Sequence, residues 1–149
     1  KGYERERTTG EDPSRPPEYP GMAGLSVLVA EEVEIVLHSN CEYLEHRGMV
    51  TTPVTDGDKA MDMLRHGRFD AAVLDLSMPG VPTPSIVRYC QTSLPGMAVV
   101  ITTGYGMNDQ IRDLLKAPST DCLYKPHRPE VLVETIYSTL MRIQEGEHT

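Results

Sequence analysis

The chain has 149 residues and a formal net charge of −8, with 14 Lys and Arg against 22 Asp and Glu. That balance excludes a surface that coats nucleic acid or anionic membrane, because both depend on clustered cations. A 39% hydrophobic content suits the core of one domain, and three Cys (Cys41, Cys90, Cys122) without paired spacing exclude a disulfide framework or a C-x-x-C zinc pattern.

Residues 1–24 hold Pro13, Pro16, Pro17 and Pro20 among charges and Gly, with no apolar period, and read as a flexible linker. Lys1 in place of an initiator Met is expected of a piece of a longer protein. From Leu25 the texture changes, and a domain is expected over 25–144, with a polar tail at 145–149. Leu25 to Ala30 is a buried strand by its apolar, β-branched run. Val33, Val36, Leu37, Cys41 and Leu44 recur at helical spacing, and Gly48 follows as a stop. Met49 to Val54 predicts a second strand. Asp56-Gly57-Asp58 is a turn and cap signal before a short helix carrying Ala60, Met61 and Leu64. Ala71 to Leu76 predicts the third strand. Thr83 is the expected cap of a helix with Pro84 at its first position, running to about Leu94. Ala98 to Thr102 predicts the fourth strand. Ile111, Leu114 and Leu115 mark a helix ended by Pro118. Asp121 to Tyr124 predicts a short fifth strand, and Pro129 opens a last helix striped by Leu132, Ile136 and Leu140. No apolar run exceeds a few residues, so no segment of this chain is expected to span a membrane, and a cytoplasmic domain is the expectation.

Five apolar strands alternating with five helices predict an α/β fold with a parallel sheet covered on both faces. Such sheets place their chemistry at the carboxyl ends of the strands. There the sequence puts Glu31-Glu32 after the first strand, Asp75 after the third, Thr102-Thr103-Gly104 after the fourth and Lys125-Pro126 after the fifth. Three crowded carboxylates repel one another, and a divalent cation relieves the repulsion; an incomplete cage of oxygen ligands suits Mg²⁺. Thr103 and Lys125 would serve as donors to an anion carried on a carboxylate. This set fits phosphorylation of Asp75, with the metal and the lysine offsetting charge on the transferring group.

In this order and on these elements, the pieces Val27-Leu28-Val29-Ala30-Glu31-Glu32, Asp75 with Met78-Pro79-Gly80, Thr102-Thr103-Gly104-Tyr105-Gly106 and Tyr124-Lys125-Pro126 resemble the receiver domain of the two-component response regulators. The resemblance covers roughly residues 24–143. It implies the flavodoxin-like fold, (βα)5 with strand order 2-1-3-4-5. It implies that Asp75 accepts a phosphoryl group from a phosphohistidine, on a histidine kinase or a phosphotransfer domain. It implies an Mg²⁺ ion held directly by Glu32, through water by Glu31, and by Asp75 and the Ser77 carbonyl. Thr103 would hydrogen-bond the phosphoryl group, Lys125 would pair with it, and the Lys125-Pro126 peptide would be cis. The output would be a population shift at the face of the fourth helix, fifth strand and fifth helix, read by a downstream protein partner. The front linker, with no output domain after the last helix, leads to the expectation of the C-terminal receiver of a hybrid sensor histidine kinase.

Three departures stand beside the resemblance. Both members of the acidic pair are Glu, where the family usually has at least one Asp, and each extra methylene moves a carboxylate outward by roughly 1.5 Å. Cys122 occupies the position, three before the lysine, that often carries an aromatic switch residue. Thr83 stands in a Pro-rich loop where many members have Gly. Tyr105, two beyond Thr103, is expected to obstruct the hydrolytic water and prolong the phosphorylated form to minutes. The alternative to a phosphoacceptor is a pseudo-receiver, the same fold used for docking without phosphorylation. An aspartyl phosphatase of another α/β family would need an Asp where Ser77 stands. Away from this edge, Cys41 and Cys90 read as helix packing, Cys122 as a buried inert thiol, and His38, His46, His66, His127 and His148 as solvated side chains.

Overall fold

A computed structural model describes residues 19–147. Ten elements alternate without exception: β1 (Ser26–Ala30), α1 (Glu34–His46), β2 (Val50–Val54), α2 (Gly57–His66), β3 (Ala71–Asp75), α3 (Thr83–Ser93), β4 (Ala98–Thr103), α4 (Asp109–Leu114), β5 (Thr120–Tyr124) and α5 (Pro129–Glu147). The strands form one parallel sheet in the order β2-β1-β3-β4-β5, as the resemblance implied. β1, β3 and β4 lie inside this order and read as continuous apolar runs because both of their faces are covered.

Side chains alternate across a strand, and the two resulting sets build two cores. Leu28, Leu74, Val99 and Ile101 face α2, α3 and α4, meeting Met61, Leu64, Ile86, Val87 and Leu114. Val27, Val29, Val73 and Val100 face α1 and α5, meeting Leu37, Leu44, Leu132 and Ile136. Each fully buried Leu or Ile here contributes roughly 1.5–3 kcal/mol relative to exposure. Asp56 caps α2 by accepting the Lys59 N–H at 2.7 Å, and Asn108 caps α4 by accepting the Ile111 N–H at 2.8 Å.

Several expectations change in detail. The helical period after β1 holds from Leu37 onward, while Val33 is 49% exposed because it precedes α1 rather than lying on its inner face. Thr83 is not a cap: α3 begins after Pro82, and the Thr83 hydroxyl donates instead to the Asp75 carbonyl oxygen at 2.6 Å. The linker expected over 1–24 is packed at its end. Met22 is buried in the α1–α5 core, the Gly24 N–H donates to the Gly48 carbonyl at 2.7 Å, and the Tyr19 ring lies 4.8 Å from that of Tyr137. The rest of that linker, residues 1–18, lies outside the described residues. At the other end α5 runs to Glu147, past the expected start of the tail, and His148 is outside the described residues. Among the described residues no helix is long and apolar enough to cross a membrane.

Candidate phosphoacceptor site

Strand register gathers the predicted residues at one edge. Ala30 pairs with Leu74, Asp75 with Thr102, and Thr103 with Tyr124, so Glu31, Asp75, Thr103 and Lys125 leave neighbouring strands at the same level. Two further backbone bonds extend that edge: the Glu31 N–H donates to the Val54 carbonyl at 3.1 Å and the Lys125 N–H to the Thr103 carbonyl at 2.7 Å. The Lys125-Pro126 peptide is cis.

Glu31 and Asp75 are both recessed, at 2% and 3% exposure, and one ammonium lies between them. Lys125 Nζ is 2.8 Å from Glu31 Oε1 and 3.2 Å from Asp75 Oδ1. Charge explains the pairing, since an isolated buried carboxylate would carry a large desolvation penalty. Burial pushes the Glu31 carboxyl upward and the Asp75 charge adds to this, against the Lys125 and Val33 hydrogen bonds that lower it. For Lys125, burial acts downward, but the combined attraction of Glu31 and Asp75 outweighs it and holds the ammonium above the usual lysine range. Glu31 Oε2 accepts the Val33 N–H at 3.1 Å, which satisfies an amide at the start of α1, a helix with no side-chain cap of its own.

The structure brings Asp75, Lys125 and Glu31 into direct contact and leaves two predicted residues apart. Glu32 is exposed to solvent. The Thr103 side chain is buried, and its hydroxyl serves the following loop: it accepts the Tyr105 N–H at 3.0 Å and donates to the Tyr105 carbonyl at 3.4 Å. Ser77 is exposed, and its N–H donates to Asp75 Oδ1 at 3.2 Å. Tyr105 is 70% exposed and Tyr124 47%. Cys122 is half-buried rather than buried; burial, with the Asp121 charge, pushes its thiol to about 11.

Sequence reasoning missed what holds the loop after Asp75. The Gly57 N–H donates to the Pro79 carbonyl at 2.8 Å, and the Val81 N–H donates to Asp58 Oδ1 at 3.0 Å. Gly80 has φ +91°, a left-handed conformation suited to Gly, and any Cβ there would lie 2.8 Å from Asp58 Oδ1. A Cβ on Gly57 would lie 2.1 Å from the Val81 carbonyl oxygen. The start of α2 therefore clasps the loop that carries Ser77. The sequence signal was the Asp56-Gly57-Asp58 run, of which only Asp56 is spent on a cap.

The donor set fits a hard divalent cation in its chemistry: oxygen atoms only, and two buried carboxylates against one ammonium. Among the described residues no three His, Cys, Asp or Glu side chains are already grouped as metal ligands.

The chain is similar to several known proteins. The chemotaxis protein CheY of Pseudomonas aeruginosa is 30% identical over 122 residues, covering 80% of this chain and 98% of that protein. Other curated relatives are longer, and the chain spans 29%, 22% and 54% of the length of three of them. Among solved structures, a CheY-like receiver domain protein from Methanospirillum hungatei superposes with TM-score 0.75 at 20% identity, covering 83% of this chain and 99% of that one. A response regulator from Burkholderia pseudomallei, solved with a phosphorylated aspartic acid, calcium ion and citrate, superposes with TM-score 0.68 at 20% identity, over 83% and 72% of the two chains. Residues 27–137 match the response regulator receiver domain, and with the sheet order and the strand-end residues above, the chain belongs to that family of two-component signalling modules.

Proposed function

We propose that this receiver takes a phosphoryl group on Asp75 from a phosphohistidine. The observation that carries the reading is the Lys125 ammonium at 3.2 Å from Asp75 Oδ1 in a recess at the sheet edge. The Asp75 carboxylate attacks phosphorus, a P–O bond forms, the P–N bond to the donor imidazole breaks, and the imidazole leaves neutral after taking a proton. Lys125 is already in place to pair with the added anion. Thr103 would give up its bonds to the Tyr105 backbone and donate its hydroxyl to the phosphoryl oxygens, which frees the 104–108 loop at the head of α4. Receiver domains in general bind Mg²⁺ or a similar divalent metal at the phosphorylation site and interact with histidine kinases or phosphotransfer proteins. Here Asp75, Glu32 and the Ser77 carbonyl would hold the cation, and buried Glu31 adds negative charge to the recess. Bound there, the cation supplies charge neutralisation of the transferring group.

The relatives carry such modules in proteins of different kinds, among them a cyclic di-GMP phosphodiesterase, a transcription factor and a chemotaxis protein. A hybrid sensor kinase and a cytoplasmic location remain part of this proposal for the whole protein. The docking reading without phosphorylation is favoured by one observation, the exposed Glu32 with no grouped metal ligands among the described residues. Intact mass after incubation with acetyl phosphate and Mg²⁺ separates the two. A phosphoryl-sized gain, lost in Asp75→Asn and on chelation, is the expected outcome. No gain in the unaltered chain, with acetyl phosphate or with a phosphorylated phosphotransfer domain, would replace this reading with docking.

A further inference from the structure

Both oxygens of Glu31 are committed within the protein. Oε1 lies 2.8 Å from Lys125 Nζ, Oε2 accepts the Val33 N–H at 3.1 Å, and the residue is 2% exposed. Its neighbour Glu32 faces solvent with its carboxylate free for other work. Lys125 is 26% exposed at its side chain, on a flexible four-carbon stem that needs a fixed partner to hold one position. Asp75 alone would be a poor anchor, because its carboxylate is the group that changes when it is modified. Glu31 is the second anchor, and it is itself tethered to the first amide before α1.

From this we infer that Glu31 is a positioning residue for Lys125: a buried strut between the start of α1 and the ammonium, which keeps Lys125 aimed at Asp75 independently of any bound cation. The inference rests on reading Asp75 as the phosphoacceptor, and it gives Glu at position 31 a purpose that Asp would not serve. An Asp carboxylate would be withdrawn by roughly one C–C bond, about 1.5 Å, out of reach of an ammonium now at 2.8 Å. The role predicts that reach matters more than charge, the reverse of what a cation ligand requires.

The test compares E31D, which keeps the charge and loses the reach, with E31Q, which keeps the reach and loses the charge, both in the full chain. Two readouts are used: the NMR shift of the Lys125 ε-carbon at fixed pH without metal, and the rate of acetyl phosphate labelling across an Mg²⁺ titration. Thermal unfolding confirms that both variants are folded. The expected result is that E31D moves the Lys125 signal toward that of an exposed lysine, and E31Q moves it less. E31D labelling falls at least tenfold and is not restored at saturating Mg²⁺. An unmoved Lys125 signal in E31D, full recovery of its labelling at high Mg²⁺, or a larger effect of E31Q than of E31D on both readouts would overturn the strut. If the unaltered chain takes no label, the phosphoacceptor reading fails on its own, and the Lys125 signal in E31D still decides: moved supports the strut, unmoved overturns it.

Discussion

A buried hydroxyl sits directly behind the candidate phosphoacceptor. Thr83 Oγ1 donates to the Asp75 carbonyl at 2.6 Å across eight residues of chain, and so ties the start of α3 to the end of β3. Thr83→Val keeps the shape and removes the donor. It should cost about 1–2 kcal/mol in urea unfolding, while Thr83→Ser stays close to the parent. The same substitution should leave Asp75 itself in place, so labelling by acetyl phosphate should persist in Thr83→Val wherever the protein is folded. At this scale the sequence was legible where a residue's position follows from the strand end it occupies, as for Asp75 and Lys125, which meet at 3.2 Å. It was not legible for Thr83, whose Ser/Thr-before-helix pattern predicts a cap, because the stronger claim on its hydroxyl comes from a carbonyl brought near only by the fold. Gly57 and Asp58 were hidden for the same reason: their partners, Pro79 and Val81, are more than 20 positions away.

Among elements, α4 is the shortest helix, and its attachment to α3 is specific. Gln91 on α3 donates from Nε2 to the Leu114 carbonyl at 2.9 Å and to Thr120 Oγ1 at 2.8 Å, joining the end of α4 to the start of β5. The surface pair of Arg88 with Asp113, at 3.0 Å, makes a second link whose side chains are about half exposed to water. Gln91→Leu should therefore destabilise the protein by about 1–3 kcal/mol, as two partly buried acceptors lose their donor, and should raise hydrogen exchange in α4 selectively. Arg88→Ala should leave both measurements nearly unchanged. If the two variants behave alike, the attachment of α4 is electrostatic rather than hydrogen-bonded. The alternation of elements could be read from the chain because each strand is a short apolar run between helical periods. Boundaries moved where tertiary contacts override composition: Met22 and Tyr19 lie in a Pro- and charge-rich stretch yet find apolar partners on α1 and α5.

For the whole molecule, buried thiols contribute to its response to alkaline pH, since burial raises Cys41, Cys90 and Cys122 alike. Burial pushes Cys90 to about 12 and Cys122, with the Asp121 charge, to about 11, above the ordinary value of 9.0. Above pH 9 the unfolded chain loses these protons while the folded chain keeps them, so the folded state binds more protons and stability falls as pH rises. The contribution is full below pH 9 and disappears through pH 11–12. Urea midpoints measured under reducing conditions should decline from pH 8.5 to 10.5, and Cys90→Ala should flatten that decline whatever it does to the midpoint at neutral pH. A slope unchanged in Cys90→Ala would show that other groups carry the effect.

The sheet also has two open sides, and β2 forms one of them. The Val50 N–H donates to Leu25 and the Val54 carbonyl accepts from Glu31, so Val50, Thr52 and Val54 direct their backbone groups inward to β1. The outward positions are Thr51 and Pro53. Pro53 has no N–H, and the Thr51 hydroxyl is bonded to the Glu45 carboxylate on α1. A strand arriving from another molecule would find one amide to accept from along this side, next to an anionic helix. The proline thus acts against uncontrolled self-association: this side of the sheet resists the edge-to-edge growth by which β-proteins polymerise.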